Sequence, residues 1–234
     1  MLFDDVEINT LLLPLGIIPA LFILYVLIGG YEGKFTERHI FLTFIVGIVM
    51  GAIIYLIEGL SLYPSLGEAI YLNVLLLLSL FFAILDQLVK LATLNLKRFA
   101  DDGLPIYGAT FGLGYSSTFA PLIFGQTLEI SENNALLILL PVSFLLMNCA
   151  TGVLIGIGIK NNRRTREFLK ASGISIILWI IVLLAIAFSV TEEFGYAQLL
   201  SLVSLMLSIV VFYQTYKNIL PKSMLSKREL RSLL

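Results

Sequence analysis

The sequence predicts an all-α membrane protein, a polytopic bundle of about seven transmembrane helices. Two features of the composition predict this class. Of the 234 residues, 59% are hydrophobic and only 13% are charged, about half the charged share of a soluble domain. The mean hydropathy is +0.98. A soluble fold of this size would leave much of that apolar surface in water, where it would aggregate. The composition therefore excludes a soluble enzyme and a disordered chain.

Seven apolar stretches are each close to the length of helix, about 20 residues, that crosses a hydrocarbon core. The first stretch leads directly into the second and lacks a small-residue cleavage site, so we expect a retained helix rather than a cleaved signal peptide. We expect a single transmembrane domain, residues 1–234, because the connecting segments reach only about a dozen residues. The predicted spans are residues 11–28, 39–57, 69–91, 104–124, 135–159, 174–190 and 196–216.

The charges in the connecting segments alternate from one side of the bundle to the other. All of the 15 Lys and Arg residues except Lys90 lie in segments on one side. The charged residues on the opposite side are all acidic, among them Glu58 and Glu68 after the second span. By the positive-inside rule, the N-terminus lies outside and the C-terminus is cytoplasmic. We expect the chain in the plasma membrane of the cell, with the lipid bilayer as its first partner.

The net charge and the cysteine and histidine content exclude several kinds of site. The net charge is −1, whereas a nucleic-acid binder normally carries a basic excess. A single cysteine, Cys149, excludes an internal disulfide and a multi-cysteine metal site, and a single histidine, His39, excludes a site with two imidazoles. The chain contains no Gly-rich nucleotide motif. We therefore expect no nucleic-acid partner, no metal and no cofactor.

Glycines recur four residues apart in three of the predicted spans. That spacing puts two glycines on one face of a helix and lets two helix backbones approach closely. We expect ordinary packing within the chain, with the interface of a homo-oligomer as the alternative. The residues are Gly47 and Gly51, Gly108 and Gly112, and Gly152 and Gly156.

Polar side chains within the spans are the candidates for a polar cavity. Asp86 and Lys90 are four residues apart, so they share a helix face and are placed to pair. A carboxylate inside the bilayer costs about 2.5–3.5 kcal/mol, so Asp86 should face protein or a water-filled cavity. Lys90 is near enough to the inner surface for snorkelling to be the alternative. The candidates are Asp86, Gln87, Lys90, Tyr107, Ser117 and Asn148.

None of the standard intramembrane catalytic sets is complete within the predicted spans. A serine protease needs a base beside its serine, and Ser116 has no evident one. An aspartyl protease needs two facing carboxylates, and Asp86 is the only carboxylate within a predicted span. A zinc protease needs about three His or carboxylate ligands, and the predicted spans offer only one carboxylate. A retinal protein needs a lysine late in the chain, which the seventh span lacks.

Several short motifs follow one another in a particular order. Asp-Gln-Leu-Val-Lys occupies residues 86–90, Asp-Gly and then Tyr-Gly-Ala lie within 102–109, Leu-Gly-Tyr-Ser occupies 113–116, and Asn-Cys-Ala-Thr-Gly occupies 148–152. In these motifs and their order, the chain resembles the PrsW family of intramembrane proteases, which belongs with the CAAX-processing proteases. The resemblance covers most of the chain, from Pro19 to the seventh span, and implies the same kind of helical bundle.

The resemblance also implies that the positions used for catalysis are changed in this chain. The Glu-Glu pair of the family is Asp86 and Gln87 here, its third acid is Ala120, and its histidine is Asn148. Gln87 cannot act as a base, and the loss of a general base typically costs about 10²–10⁴ in rate. Structural positions of the family, such as Gly114, are kept. The resemblance therefore implies a catalytically inactive pseudoprotease.

The main hypothesis is a PrsW-like protein without activity that acts as a scaffold or binding partner for membrane proteins and holds a transmembrane helix of the partner. A residual intramembrane protease with Asp86 as its base is the first alternative. The second is a carrier of small solutes or ions that uses Asp86 and Lys90 as a charge-compensated site.

Overall fold

The computed structural model describes residues 8–66, 71–130 and 134–224, and all regular structure in these residues is helical. The predicted all-α class is confirmed. The long helices are α1 Ile8–Ile28, α2 Glu37–Leu66, α3 Leu72–Leu94, α4 Leu104–Ile130, α5 Asn134–Lys160, α6 Arg164–Val190 and α7 Phe194–Gln214. A 3₁₀ turn at Lys97–Phe99 precedes α4, and a π-helical turn at Thr215–Ile219 joins α7 to a short helix, α8, at Leu220–Ser223.

Within the described residues, five helical stretches are long and apolar enough to cross a membrane. They indicate a membrane protein, in agreement with the composition. Among the residues whose side chains the structure describes, α1 contributes a shorter apolar stretch, Gly16–Ile28, and α4 is not among the five. The five stretches are Glu37–Leu62, Leu72–Leu94, Leu139–Lys160, Arg164–Val190 and Phe194–Ser223.

The helix α4 lies at the centre of the bundle, which explains why it is less apolar than its neighbours. It packs mainly against α5, α2 and α1, and every residue from 103 to 121 is buried. A helix that is enclosed by protein does not face lipid, so its side chains have to fit the neighbouring helices. Small and hydroxyl residues such as Gly112, Ser116 and Ala120 therefore replace bulky apolar ones.

The helices α4 and α5 approach each other closely, and this approach depends on glycine. Gly108 lies against the backbone carbonyl of Gly152, and Gly152 lies against that of Gly108. One turn further along α4, Gly112 lies against the backbone carbonyl of Asn148. A Cβ atom at any of these glycines would overlap with backbone, which cannot move aside as a flexible side chain can.

The same kind of contact joins other parts of the bundle to α4. Gly47 and Gly51 on α2 lie against the backbone of Tyr115. At the start of α4, the backbone carbonyl of Leu104 lies against Gly156 of α5. All three glycine pairs of the sequence therefore take part in helix contacts within one chain.

The helix α2 is longer than the predicted span, and this changes the position of Glu58. The prediction that the span ends at residue 57 and leaves Glu58 in an outer loop is wrong. The helix continues to Leu66, and Glu58 is fully buried in the bundle. It continues because Ile54, Glu58 and Leu62, at four-residue spacing, form one buried face of α2. Glu68 lies outside the described residues.

The helix α6 also begins earlier than predicted, at Arg164 rather than at residue 174. A short turn at 161–163 follows α5, and Asn162 adopts a positive φ of 54° there. Asparagine tolerates this left-handed conformation better than most residues, so the chain reverses within a few residues. Arg166 and Lys170, which were expected in a loop, therefore lie on the first turns of α6.

Segments that carry basic residues meet at one end of the bundle. Lys160, at the end of α5, donates to the backbone carbonyls of Asp102 at 3.1 Å and Ser223 at 3.0 Å. Lys34, in the segment between α1 and α2, donates to the carbonyl of Met224 at 3.3 Å. These bonds hold α8 and the segment before α4 against the same end of the bundle.

Replacing Gly152 by alanine should destabilise the protein by about 1–3 kcal/mol, because the new Cβ overlaps with the backbone of α4. Thermal unfolding of the purified protein in detergent measures the effect. Gly173→Ala is the matched control on α6, since a Cβ there meets nothing within 4 Å. Alanine favours the helix by about 0.5–1 kcal/mol over glycine, so the control should be neutral or stabilising. Equal unfolding temperatures for the two variants would contradict the close contact of Gly152 with the backbone of α4.

Candidate functional site

The polar centre of the bundle is built around the ammonium group of Lys90 on α3. Lys90 Nζ donates to Gln87 Oε1 at 3.2 Å, to Thr151 Oγ1 at 2.8 Å and to Asn148 Oδ1. Asn148 and Thr151 are three residues apart and therefore share one face of α5. Lys90 is 0% exposed, so it does not snorkel to the membrane surface. The three N–H donors of the ammonium are thus matched by three neutral oxygen atoms.

Asp86 lies one turn from Lys90 but has different partners. Its Oδ1 accepts a hydrogen bond from the hydroxyl of Tyr115 on α4, and its Oδ2 accepts one from Trp179 Nε1 on α6 at 3.0 Å. Lys90 and Asp86 interact electrostatically. The ion pairs within the described residues, however, do not include a direct bond between them, although their spacing predicted one. Two uncharged donors therefore hold the Asp86 carboxyl group in place.

Gln87 extends the polar centre to α6, because its Nε2 donates to Ser175 Oγ at 2.8 Å. Asn148 Nδ2 donates in turn to the backbone carbonyl of Phe144 at 3.1 Å, within α5. Both ends of each amide are therefore bonded. We define the polar centre as Asp86, Gln87, Lys90, Tyr115, Asn148, Thr151, Ser175 and Trp179.

Aromatic rings enclose the Asp86 side of the polar centre. The Trp179 ring lies 4.9 Å from Phe82 and 4.8 Å from Phe144, between ring centroids, in edge-to-face contacts. The Tyr115 ring stacks on Phe119 at 5.3 Å. These side chains are all fully or almost fully buried. Hydrogen bonds in such an apolar surrounding are electrostatically stronger than bonds in water, and unpaired polar groups are correspondingly costly.

Two of the six predicted cavity residues lie away from the polar centre. The Tyr107 hydroxyl accepts from the backbone N–H of Thr36 at 2.7 Å and donates to Asp101 Oδ2 at 2.9 Å. His39 Nδ1 lies 3.2 Å from the same Asp101 oxygen. Tyr107 thus joins the segments before α2 and α4. Ser117 donates to a backbone carbonyl three residues earlier in its own helix at 2.7 Å. The structure brings the other four, Asp86, Gln87, Lys90 and Asn148, together.

Glu58 is a second carboxyl group inside the bundle, which sequence reasoning missed. It is 0% exposed, and neither of its carboxylate oxygens has a hydrogen-bond partner. It lies close enough to Asp86 and Tyr115 to interact with both electrostatically. The signal that points to it is the apolar spacing on both sides, since Ile54 and Leu62 continue the buried face of α2 past residue 58.

Hydrogen bonds hold the side chains of the polar centre in fixed positions. A hydrolase needs a group positioned to take a proton from water or from a nucleophile. The side-chain amides of Gln87 and Asn148 do not ionise, and Ala120, the remaining family-motif position, is buried and offers no polar side chain. Within the described part of the chain, no group of three His, Cys, Asp or Glu is placed to hold a metal ion.

A groove of about 1060 Å³ lies between α1 and α2. Its lining is mostly apolar, and Glu32 and Glu37 also border it. None of the lining residues belongs to the polar centre, so the groove is a separate feature. Among the apolar lining residues are Leu21, Leu24, Tyr25, Ile40, Phe41 and Phe44.

The fold and the long apolar helices indicate a helical membrane protein. Comparisons of the chain with protein-family models, with curated proteins and with solved structures find no match. The likeness to the PrsW family therefore depends on the sequence motifs alone.

Replacing Lys90 by alanine should destabilise the protein by about 3–5 kcal/mol, because it leaves Asn148, Thr151 and the Asp86 carboxyl without their buried cation. The unfolding temperature in detergent measures this loss. Lys170→Ala is the matched control: Lys170 also bonds a residue three positions earlier, Glu167 at 2.9 Å, but its side chain is 48% exposed. The control should change stability by less than about 1 kcal/mol. A Lys90 variant as stable as this control would contradict the central role of Lys90.

Proposed function

We propose that this chain is a PrsW-like integral membrane protein without catalytic activity that acts as a scaffold or binding partner for other membrane proteins. The observation that carries the proposal is the hydrogen bonding of Lys90. Two positions that the resemblance assigns to catalysis, Gln87 and Asn148, hold neutral amides that bind this lysine. Amides that satisfy a buried charge do not activate water. The motif positions therefore stabilise the bundle instead of performing a reaction.

We also propose the topology that the charges predict, with all seven long helices spanning the plasma membrane. The contacts of Lys34 and Lys160 support it, because they bring segments predicted to be cytoplasmic to one end of the bundle. The helix α4 belongs to the seven although it is less apolar, since protein surrounds it. In this topology the N-terminus is outside and the C-terminus is cytoplasmic.

A residual protease with Asp86 as its base has less support. Both oxygens of Asp86 accept hydrogen bonds from Tyr115 and Trp179, and aromatic rings enclose the group. A carrier of small solutes or ions is the second candidate function. The observation that favours it is Glu58, since a buried ionisable residue within a membrane bundle is typical of ion and proton pathways.

The scaffold proposal places a transmembrane helix of the partner in the groove between α1 and α2. The groove is apolar along most of its length and acidic where Glu32 and Glu37 border it. These two residues lie at the predicted cytoplasmic end. Transmembrane helices carry Lys and Arg at that end, by the same rule that orients this chain. An apolar helix with a basic cytoplasmic end therefore complements the groove in both shape and charge.

Purified protein in liposomes should not cleave transmembrane substrates at any pH, because Gln87 and Asn148 replace ionisable groups. Gel and mass-spectrometric analysis of a panel of single-span substrates measures this. Asp86→Ala provides the comparison, and its product level should equal that of the wild type. Cleavage that the Asp86 variant abolishes would overturn the proposal in favour of a residual protease.

A photoreactive residue in place of Phe41, which lines the groove and is 70% exposed, should cross-link to a transmembrane protein in native membranes. Met206 on α7 is 58% exposed and does not line the groove, so the same label there is the matched control. Glu37→Lys should weaken the Phe41 adduct about fivefold, which corresponds to about 1 kcal/mol for an exposed charge pair.

Three results of the cross-linking experiment would contradict the docking of a partner helix in the groove. Adducts with lipid alone would show that lipid fills the groove. Adducts with a second copy of this chain would show a homo-oligomer. Identical adducts from Phe41 and Met206 would show contacts without specificity.

A further inference from the structure

We propose that Glu58 is a proton-binding site inside the bundle, and that it carries its proton in the folded protein. The proposal starts from the environment of its carboxyl group. Glu58 is 0% exposed, and its two oxygens lack a hydrogen-bond partner. The other buried side-chain nitrogen and oxygen atoms without a partner in the described residues are hydroxyl oxygens, on Thr118, Ser172 and Ser208. Burying an ionised carboxylate without partners costs far more than burying a hydroxyl.

The charges around Glu58 can be counted helix by helix. Asp86 on α3 and Tyr115 on α4 interact with Glu58 electrostatically. Lys90 on α3 is the cation of this group, and it interacts with Asp86. Because the Lys90 ammonium compensates Asp86, an ionised Glu58 would leave one negative charge in this group uncompensated. A proton on one of the two carboxyl groups removes this excess.

The hydrogen bonds decide which carboxyl group holds the proton. Asp86 accepts hydrogen bonds from Tyr115 and Trp179, and both stabilise the ionised form. The Lys90 ammonium stabilises the same form. Glu58 accepts no hydrogen bond, so its surroundings stabilise the neutral acid. The proton therefore belongs to Glu58, and Asp86 and Lys90 remain a charged pair. This inference does not depend on the scaffold function.

Proton binding at Glu58 should couple folding to pH. The unfolded chain ionises its glutamates above a pKa of about 4.3. If the folded chain keeps the Glu58 proton, it binds one more proton than the unfolded chain at neutral pH. Raising the pH then favours unfolding. The factor by which this site increases the folding equilibrium constant falls about tenfold per pH unit. Glutamine has the shape of the neutral acid but does not ionise, so Glu58→Gln should remove this dependence.

Two measurements on the full-length protein test the proposal. Infrared spectra at neutral pH should show the carbonyl band of a protonated carboxyl group, and Glu58→Gln should remove it. Thermal unfolding from pH 5 to pH 9 should show that Glu58→Gln is more stable than the wild type, by a margin that grows with pH. Glu37→Gln is the matched control on the same helix, because Glu37 is exposed. It should keep both the band and the pH dependence of the wild type.

The proposal would be overturned if the carboxyl band persisted in Glu58→Gln or if the wild type lacked the band. It would also be overturned if the pH dependence of unfolding were the same in Glu58→Gln and in the wild type, which would show that Glu58 is ionised in the folded protein. Failure of Glu58→Gln to fold would also count against it, because the amide should replace a neutral acid without loss.

Discussion

The constraint on which this bundle depends is an ammonium group enclosed by protein. An uncompensated charge in such a place costs several kcal/mol, so oxygen atoms have to be brought to Lys90. They come from α3 itself and from Asn148 and Thr151 on α5. Asp86, which supplies the opposite charge, is held by Tyr115 from α4 and by Trp179 from α6. One cation thereby specifies how four helices are placed around a common point.

The helices can approach that point closely because glycine occupies the positions where their backbones are in contact. Gly112 of α4 lies against the backbone carbonyl of Asn148, and the side chain of the same asparagine binds Lys90. The close backbone contact and the polar contact therefore belong to one residue. If α5 moved outward by the width of a methyl group, Asn148 would move away from Lys90 as well. Glycine packing and polar pairing thus depend on each other instead of contributing separately.

Part of this architecture follows from the sequence, for physical reasons. The helical class follows because each backbone group in lipid needs a partner, and the glycine spacing follows from helix geometry. The sequence also identifies Asp86, Lys90 and Asn148, since polar groups within a span are costly. The sequence does not show which helices become neighbours, so the contacts of Tyr115 and Trp179 with Asp86 could not be predicted. The burial of Glu58 was not predicted because a transmembrane span of ordinary length ends before this residue. In the structure, the buried face of α2 continues past Glu58 to Leu62.

The contact between Trp179 and Asp86 has a consequence for how the protein can be observed. Trp179 is the single tryptophan of the chain, and its indole N–H donates to the buried carboxyl group at 3.0 Å. The emission of an indole depends on the charge and polarity next to it, and charges act strongly where water is excluded. The chain therefore contains an intrinsic fluorophore in direct contact with the buried Asp86 carboxyl group. Changes in the polar centre can be followed optically, without a label, in the intact membrane protein.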